Sequence, residues 1–247
     1  MITLLLGVMH IDGEALASSL QRLREAAYDA DVAAVMKRAV GAVQRVFDCS
    51  GAGIMFVTES GQLSYVAASD EGGRQLEQAQ ADAGQGPCYD SYVYAREVAS
   101  SDVHHDSRWP RLPPHLPGQV RAVAGIPVML GGSPVGTLNV YRDAPAEWDD
   151  SDIAALRAYG DLIAEIVGAA LAAQDHGALA RQLQYALDYR VIIERAVGYL
   201  MGSRGLDAVT AFNILRKRAR DSRRRVADIA AEVLKGTGAG LDDERPV

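Results

Sequence analysis

Ala122-Val-Ala-Gly-Ile-Pro-Val-Met-Leu-Gly-Gly-Ser-Pro-Val-Gly-Thr-Leu-Asn-Val-Tyr141 is a run of twenty residues without a charge. By length and apolarity it would suit a membrane span. Pro127, Gly131, Gly132, Pro134 and Gly136 break any helix drawn through it. The run reads instead as two strands, Val120 to Leu130 and Val135 to Tyr141, around the turn Gly131-Gly132-Ser133. On its N-terminal side, Gly53-Ile-Met-Phe-Val57 and Leu63 to Ala68 form a second strand pair, turning at Ser60-Gly61. Residues 15–47 carry helical periodicity with a break around Asp29-Ala30-Asp31, and Val32, Val35, Met36, Ala39, Val43 and Val46 share a stripe. Residues 73–83 read as a short polar helix. Residues 84–121, rich in Pro, Gly and His, read as an irregular segment of the kind that encloses ligands. On the C-terminal side, Trp148 introduces a long helix with Asp149 as N-cap and Asp152 in its first turn. Helix, strands, helical loop, strands and helix in that order predict an α+β sandwich, an antiparallel sheet flanked by helices.

The chain has 247 residues, 49% hydrophobic and 23% charged, which is globular composition with material for a sizeable core. A net charge of −7 excludes a uniformly basic nucleic-acid binder. The charge is unevenly spread. Residues 176–236 hold 12 Lys/Arg against 6 Asp/Glu, and the remainder holds 13 against 26. That is an acidic body carrying a basic interaction module. Cys49 and Cys88 are too few for a disulfide scaffold and form no CxxC pair, which points to a reducing compartment. Ile2 to Met9 lacks a basic n-region and an A-x-A site, so the expectation is a cytoplasmic protein with no signal peptide and no membrane partner.

From Leu179 onward the pattern is all-helical. The first helix is expected from Leu179 to Met201, with Arg190 in the middle of its packed face and Glu194 one turn away as ion-pair partner. A second stripe, Tyr185, Tyr189, Ile192, Ala196 and Tyr199, suits a dimer seam continuing from the preceding long helix, through residues 150–201. Asp207 is the expected N-cap of the second helix, which buries Ala208, Ala211, Phe212, Leu215 and Ala219. Arg216, Lys217 and Arg220 are expected on its exposed arc, with Asn213 beside them. The third helix, with Val226, Ile229, Ala230, Val233 and Leu234 inward, follows Arg223-Arg224-Arg225. Cations there oppose the helix dipole, and binding phosphate would offset that. A helix-turn-helix contacting duplex DNA, or an adaptor binding acidic protein, would use the same charges.

Arg190-Val-Ile-Ile-Glu-Arg-Ala-Val-Gly-Tyr-Leu-Met201, Ala211-Phe-Asn-Ile-Leu-Arg216 and Asp228-Ile-Ala230 resemble the ANTAR domain, a three-helix RNA-binding module of transcription antiterminators. The resemblance implies a partner in paired stem-loop RNA of nascent message. It makes Arg204, Asn213, Arg216, Lys217, Arg220, Arg223, Arg224 and Arg225 the candidate RNA contacts, with Arg190 either a structural ion pair or a further contact. Val197 and Thr210 stand where the family usually has Lys and an acidic residue, and the family usually has Asn near Arg223. Gly86-Pro-Cys88, Asp106-Ser-Arg-Trp-Pro110, Ile126-Pro-Val128, Gly136-Thr-Leu-Asn-Val-Tyr141 and Trp148 followed by Asp152 resemble a GAF domain, the sensor that precedes ANTAR in many actinobacterial regulators. The implied organisation is an N-terminal extension over 1–29, a GAF sensor over 30–173, a connector at 174–178, ANTAR over 179–236 and a disordered tail over 237–247. The implied role is a signal-responsive antiterminator, dimeric and open to a sensor protein as partner.

Cys88, Tyr89, Tyr92 and Trp109 are the candidate lining of a small-molecule pocket in the GAF half; no cofactor is implied. Half of the cyclic-nucleotide GAF signature is present, in Asn139 and Asp152, and its Lys and Glu are not. His104-His105-Asp106 are adjacent residues that do not converge on one ion, so no metal site is expected. No nucleophile–base–orienter set is visible, so no catalytic residues are expected.

Overall fold

The computed structural model describes residues 11–27, 31–172 and 178–236. The expectations for Ile2 to Met9, for the 237–247 tail and for nearly all of the 174–178 connector lie outside them.

Five antiparallel strands, β1 (Gly51–Val57), β2 (Leu63–Ala68), β3 (Val98–Ser100), β4 (Ala122–Leu130) and β5 (Ser133–Arg142), lie in the order β2-β1-β5-β4-β3. The β4–β5 hairpin turns at Gly131 and Gly132, both at positive φ where glycine is free of strain. Alternation sorts each strand between two faces. Ala52, Ile54 and Phe56 of β1 and Leu138 and Val140 of β5 meet α1 (Gly13–Ala26), α2 (Val32–Phe47) and α5 (Asp150–Ala172) in one apolar core. On α2 the buried set is Val35, Met36, Ala39, Val40, Ala42 and Val43, with Phe47 packed 6.2 Å from the Tyr159 ring of α5. Asp149 accepts the Asp152 amide at 2.8 Å, the expected N-cap of α5.

The other face carries α3 (Glu71–Ala83) and α4 (Pro87–Tyr94). Here the 84–121 segment is more regular than its composition suggests: it contains α4 and the edge strand β3. Pro87 occupies the first turn of α4, where its missing N–H costs nothing, and Tyr89 and Tyr92 are poor helix formers held by packing. A second core of Leu76, Cys88, Trp109, Val120, Val123 and Tyr141 fills this layer.

Three further helices, α6 (Ala178–Arg204), α7 (Ala208–Ser222) and α8 (Val226–Leu234), enclose a core of Ala196, Leu200, Ala211, Leu215, Val226, Ile229 and Val233. Leu234, expected inward, is 39% exposed at the end of α8. Among the described residues no helix is long and apolar enough to cross a membrane.

Candidate nucleic-acid interface

The basic module is organised around α7. Asp207 caps it by accepting the Thr210 amide at 2.9 Å. Its C-terminal cap is Arg223, in the left-handed region at φ 53°, where a side chain costs energy that Gly or Asn avoids. Between the caps, Ala211, Leu215 and Ala219 face the three-helix core. Phe212 points elsewhere, into Met55, Val57 and Leu63 of the sheet and Tyr89 and Tyr92 of α4, with ring centroids 6.2 and 5.8 Å away. The helical module is therefore docked on the α3–α4 layer.

Docking divides the basic residues. Arg216 is 6% exposed, a correction to its expected place on an exposed arc. It follows Phe212 by one turn, on the flank of the stripe that α4 covers. Its Nη1 donates to the Ala81 carbonyl at 3.2 Å, and its guanidinium lies 5.0 Å from the Tyr89 ring centroid. Asn213 is half-buried beside it; its Nδ2 donates to the Gly84 carbonyl at 3.1 Å and its Oδ1 accepts the Tyr89 hydroxyl at 2.8 Å. Ala81 and Gly84 form the C-terminal end of α3, whose last turn has no basic residue of its own. Arg216 and Asn213 supply from α7 the cation and donors which that end lacks. Gly84 admits them: at φ +60° it adopts the left-handed cap, and a Cβ there would stand 2.6 Å from Arg216 Nη2. The cradle is incomplete: among the described residues, Arg216 Nε is buried with no hydrogen-bond partner.

The other candidates stay outside. Lys217, Arg220, Arg223, Arg224 and Arg225 are exposed and Arg204 is half-buried. Arg220 lies 3.6 Å from Asp221, and Arg224 meets Glu232 at 2.7 Å. Arg225 reaches across the seam to Glu59 in the β1–β2 turn at 3.0 Å, beside the Val226 amide donating to the Glu59 carbonyl. These are solvent-exposed pairs that a phosphate can replace at little cost. Arg190 pairs with Glu194 at 2.6 Å and donates to the Pro134 carbonyl at 3.3 Å. Tyr185 is buried, its ring centroid 4.6 Å from that of Tyr189 and tilted 34° to it, while Tyr189 and Tyr199 are exposed.

Cys88, Tyr89, Tyr92 and Trp109 do not converge as a pocket lining. Cys88 and Trp109 are core residues of the α3–α4 layer, and Trp109 Nε1 donates to Asp90 at 2.9 Å. Tyr89 and Tyr92 face α7. The Cys88 thiol accepts from Gln80 Nε2 at 2.7 Å, and burial pushes its pKa well up, which keeps it an inert thiol. Sequence reasoning missed the group beneath it. Glu77 is fully buried, reaches over Gly53 where a Cβ would collide with it, and accepts from Asn139 Nδ2 at 2.7 Å. Burial raises its pKa to about 8, partly opposed by that hydrogen bond. Among the described residues, Glu77 Oε2, Asn139 Oδ1 and Thr137 Oγ1 have no hydrogen-bond partner. Glu77 also reaches a cavity of about 300 Å³ between β2 and α3 that has Arg220 at its rim. The only signal in the sequence was a Glu on the sheet-facing side of a polar helix. Among the described residues no cluster suits a metal ion; His105 pairs with Asp102 and Asp106 with Arg108.

A GAF domain profile matches residues 29–167, and an ANTAR domain profile matches residues 181–234. The chain belongs to the GAF family and carries a C-terminal ANTAR domain. Both are regulatory rather than catalytic families; together they make an RNA-binding antitermination regulator with a sensor half. A comparison with curated proteins finds no match. Among solved structures, the GAF domain of a phosphoenolpyruvate-protein phosphotransferase from Coxiella burnetii aligns with a TM-score of 0.54 at 13% identity, over 65% of this chain and 97% of that one. The corresponding Acinetobacter domain gives 0.51 at 15%, over 65% and 97%. Free methionine-R-sulfoxide reductase from Neisseria meningitidis gives 0.50 at 15%, over 63% and 90%. At such identities the likeness concerns the fold of the GAF half.

Proposed function

We propose that this GAF–ANTAR protein is a signal-responsive antiterminator that holds paired stem-loops in nascent mRNA, and that the docked arrangement is its resting state. The observation that carries the reading is the division of the basic module. Arg216 and Asn213 are spent on the carbonyl end of α3, while Arg220, Arg223, Arg224 and Arg225 remain at the surface. Undocking adds Arg216 and Asn213 to that surface, so affinity for RNA rises when the GAF half lets go. The unpaired Nε of Arg216 lowers the cost of letting go. A signal acts by binding the docked and undocked arrangements unequally. The exposed Tyr189 and Tyr199 support a second chain along α5 and α6, and a partner sensor protein is accommodated by the same scheme.

The test is binding of the full-length chain to a paired stem-loop RNA between 50 and 200 mM salt, roughly the range over which phosphate contacts weaken binding steeply. Alanine at Lys217, Arg220, Arg224 and Arg225 lowers affinity at least about tenfold and flattens the salt slope by about 0.7–0.9 for each phosphate no longer neutralised. Loosening the dock from the GAF side alone, with Glu59→Ala and Tyr89→Phe, raises affinity. Unchanged binding by the quadruple variant, or preference for palindromic duplex DNA over the hairpin, overturns the reading.

A further inference from the structure

A cavity of about 180 Å³ lies in the seam between the GAF and ANTAR halves. Val57 and Tyr92 line it from the GAF side, and Ile193, Val197, Met201 and Phe212 from the ANTAR side. A dry cavity of about 150 Å³ lined by aliphatic and aromatic side chains holds one benzene ring. This one therefore has room for a single ring with a small substituent. Apolar walls with few polar groups, placed between domains, are the usual form of a small-molecule site.

Among the described residues, the wall has one cation. The Arg190 side chain is 14% exposed, and its guanidinium lies 5.8 Å from the Tyr92 ring centroid. Nη1 donates to the Pro134 carbonyl, and Nε and Nη2 contact Glu194. Glu194 is the weaker holder: its side chain is 54% exposed and can turn into water. An incoming anion can take its place on a guanidinium that packing already holds still.

We propose that the seam cavity binds a small monocyclic aromatic anion, with its ring among Ile193, Val197 and Phe212 and its carboxylate or phenolate on Arg190. Such a ligand touches both halves at once, so it binds the docked arrangement better than the undocked one and shifts the protein toward it. That consequence deepens the RNA reading and rests on it; the site itself does not.

The experiment uses the full-length chain with methyl-labelled methionine and two probes, benzoate and neutral benzyl alcohol. Met201 lines the cavity, so benzoate shifts its methyl resonance saturably, and benzyl alcohol does so more weakly. Gly198 also lines the cavity, and a Cβ there meets nothing within 4 Å, so Gly198→Leu starts its side chain in free space at the cavity wall and improves a helical position. It weakens benzoate at least tenfold in a protein that still gives a folded spectrum. Arg190→Met abolishes the preference for benzoate over benzyl alcohol, and Arg190→Lys restores part of it. Glu194→Gln tightens benzoate severalfold, because the competing carboxylate is gone. No saturable Met201 shift, or an equal shift in folded Gly198→Leu protein, overturns the site; equal affinity for the two probes overturns the anion assignment. With stem-loop RNA present, benzoate weakens RNA binding by wild type and not by Gly198→Leu. Saturable benzoate binding that leaves RNA affinity unchanged overturns the coupling and leaves the site standing.

Discussion

Arg216 and Arg224 lie on the two sides of the turn that ends α7, and they behave as different kinds of residue. Arg224 keeps 41% of its side chain in solvent and meets Glu232 at the surface. Arg216 is enclosed by α3 and α4, with a backbone carbonyl and a tyrosine face for partners. In water a guanidinium is a free recognition group, and its ion pairs contribute about 0–1 kcal/mol. Out of water the same group must be satisfied in place, so it becomes structural. One basic module thus holds both a latch and a landing surface, and solvent access alone separates them.

The sharpest way to break that contrast is Phe212→Ala. It removes the ring that seats α7 on α4 and costs about 3–5 kcal/mol, the range for buried Phe truncations. Urea unfolding measures the loss, and hydrogen exchange at the C-terminal turn of α3 rises with it; an unchanged exchange pattern would mean that the ring does not carry the dock. Arg216→Met keeps much of the volume and removes the charge. It costs about 1–3 kcal/mol, for the Ala81 carbonyl left unsatisfied, whereas Arg224→Met stays within about 1 kcal/mol. Equal costs for the two would erase the distinction.

Glu77 extends the contrast to a buried acid. Its pKa is raised to about 8 from an ordinary 4.5, so the folded protein holds a proton that the unfolded chain has released between those values. Stability on this account is greatest below about pH 4.5, falls by up to about 1.4 kcal/mol per pH unit on rising toward pH 8, and levels off above it. Glu77→Gln, neutral at every pH, removes that slope in unfolding titrations; a slope that survives belongs to other groups.

The smallest effect has the opposite sign. Arg223 caps α7 in the left-handed region, so Arg223→Asn stabilises by roughly 0.5–1 kcal/mol while deleting an exposed cation. A higher melting temperature together with weaker RNA binding separates the landing surface from stability; a lower one would show that Arg223 is held by more than its backbone.

Much of this was legible beforehand. Gly131-Gly132 between alternating strands set the hairpin, and Asp149 and Asp207 marked helix starts, because caps and turns depend on neighbours in the chain. The helix over Pro87–Tyr94 was not legible, since Cys, Tyr and Val have low helical preference and only the core beneath them holds that shape. Of the four residues expected to line a pocket, Tyr92 borders the seam cavity while Cys88, Tyr89 and Trp109 are packed in cores, for a related reason: aromatics mark burial, not what they are buried against.

The two strand pairs, the helix starts at Asp149 and Asp207, and the concentration of positive charge after residue 176 were determined by the sequence alone, because periodicity, capping and charge are properties of nearby residues; the division into a GAF half and an ANTAR half came from the resemblance of its motifs to those families. Tertiary structure decided which of those charges meet water. Arg216 sits one helical turn beyond Phe212, and nothing in α7 itself tells a solvated flank from a docked one. The carbonyls that bury it belong to Ala81 and Gly84, more than a hundred residues away in the chain.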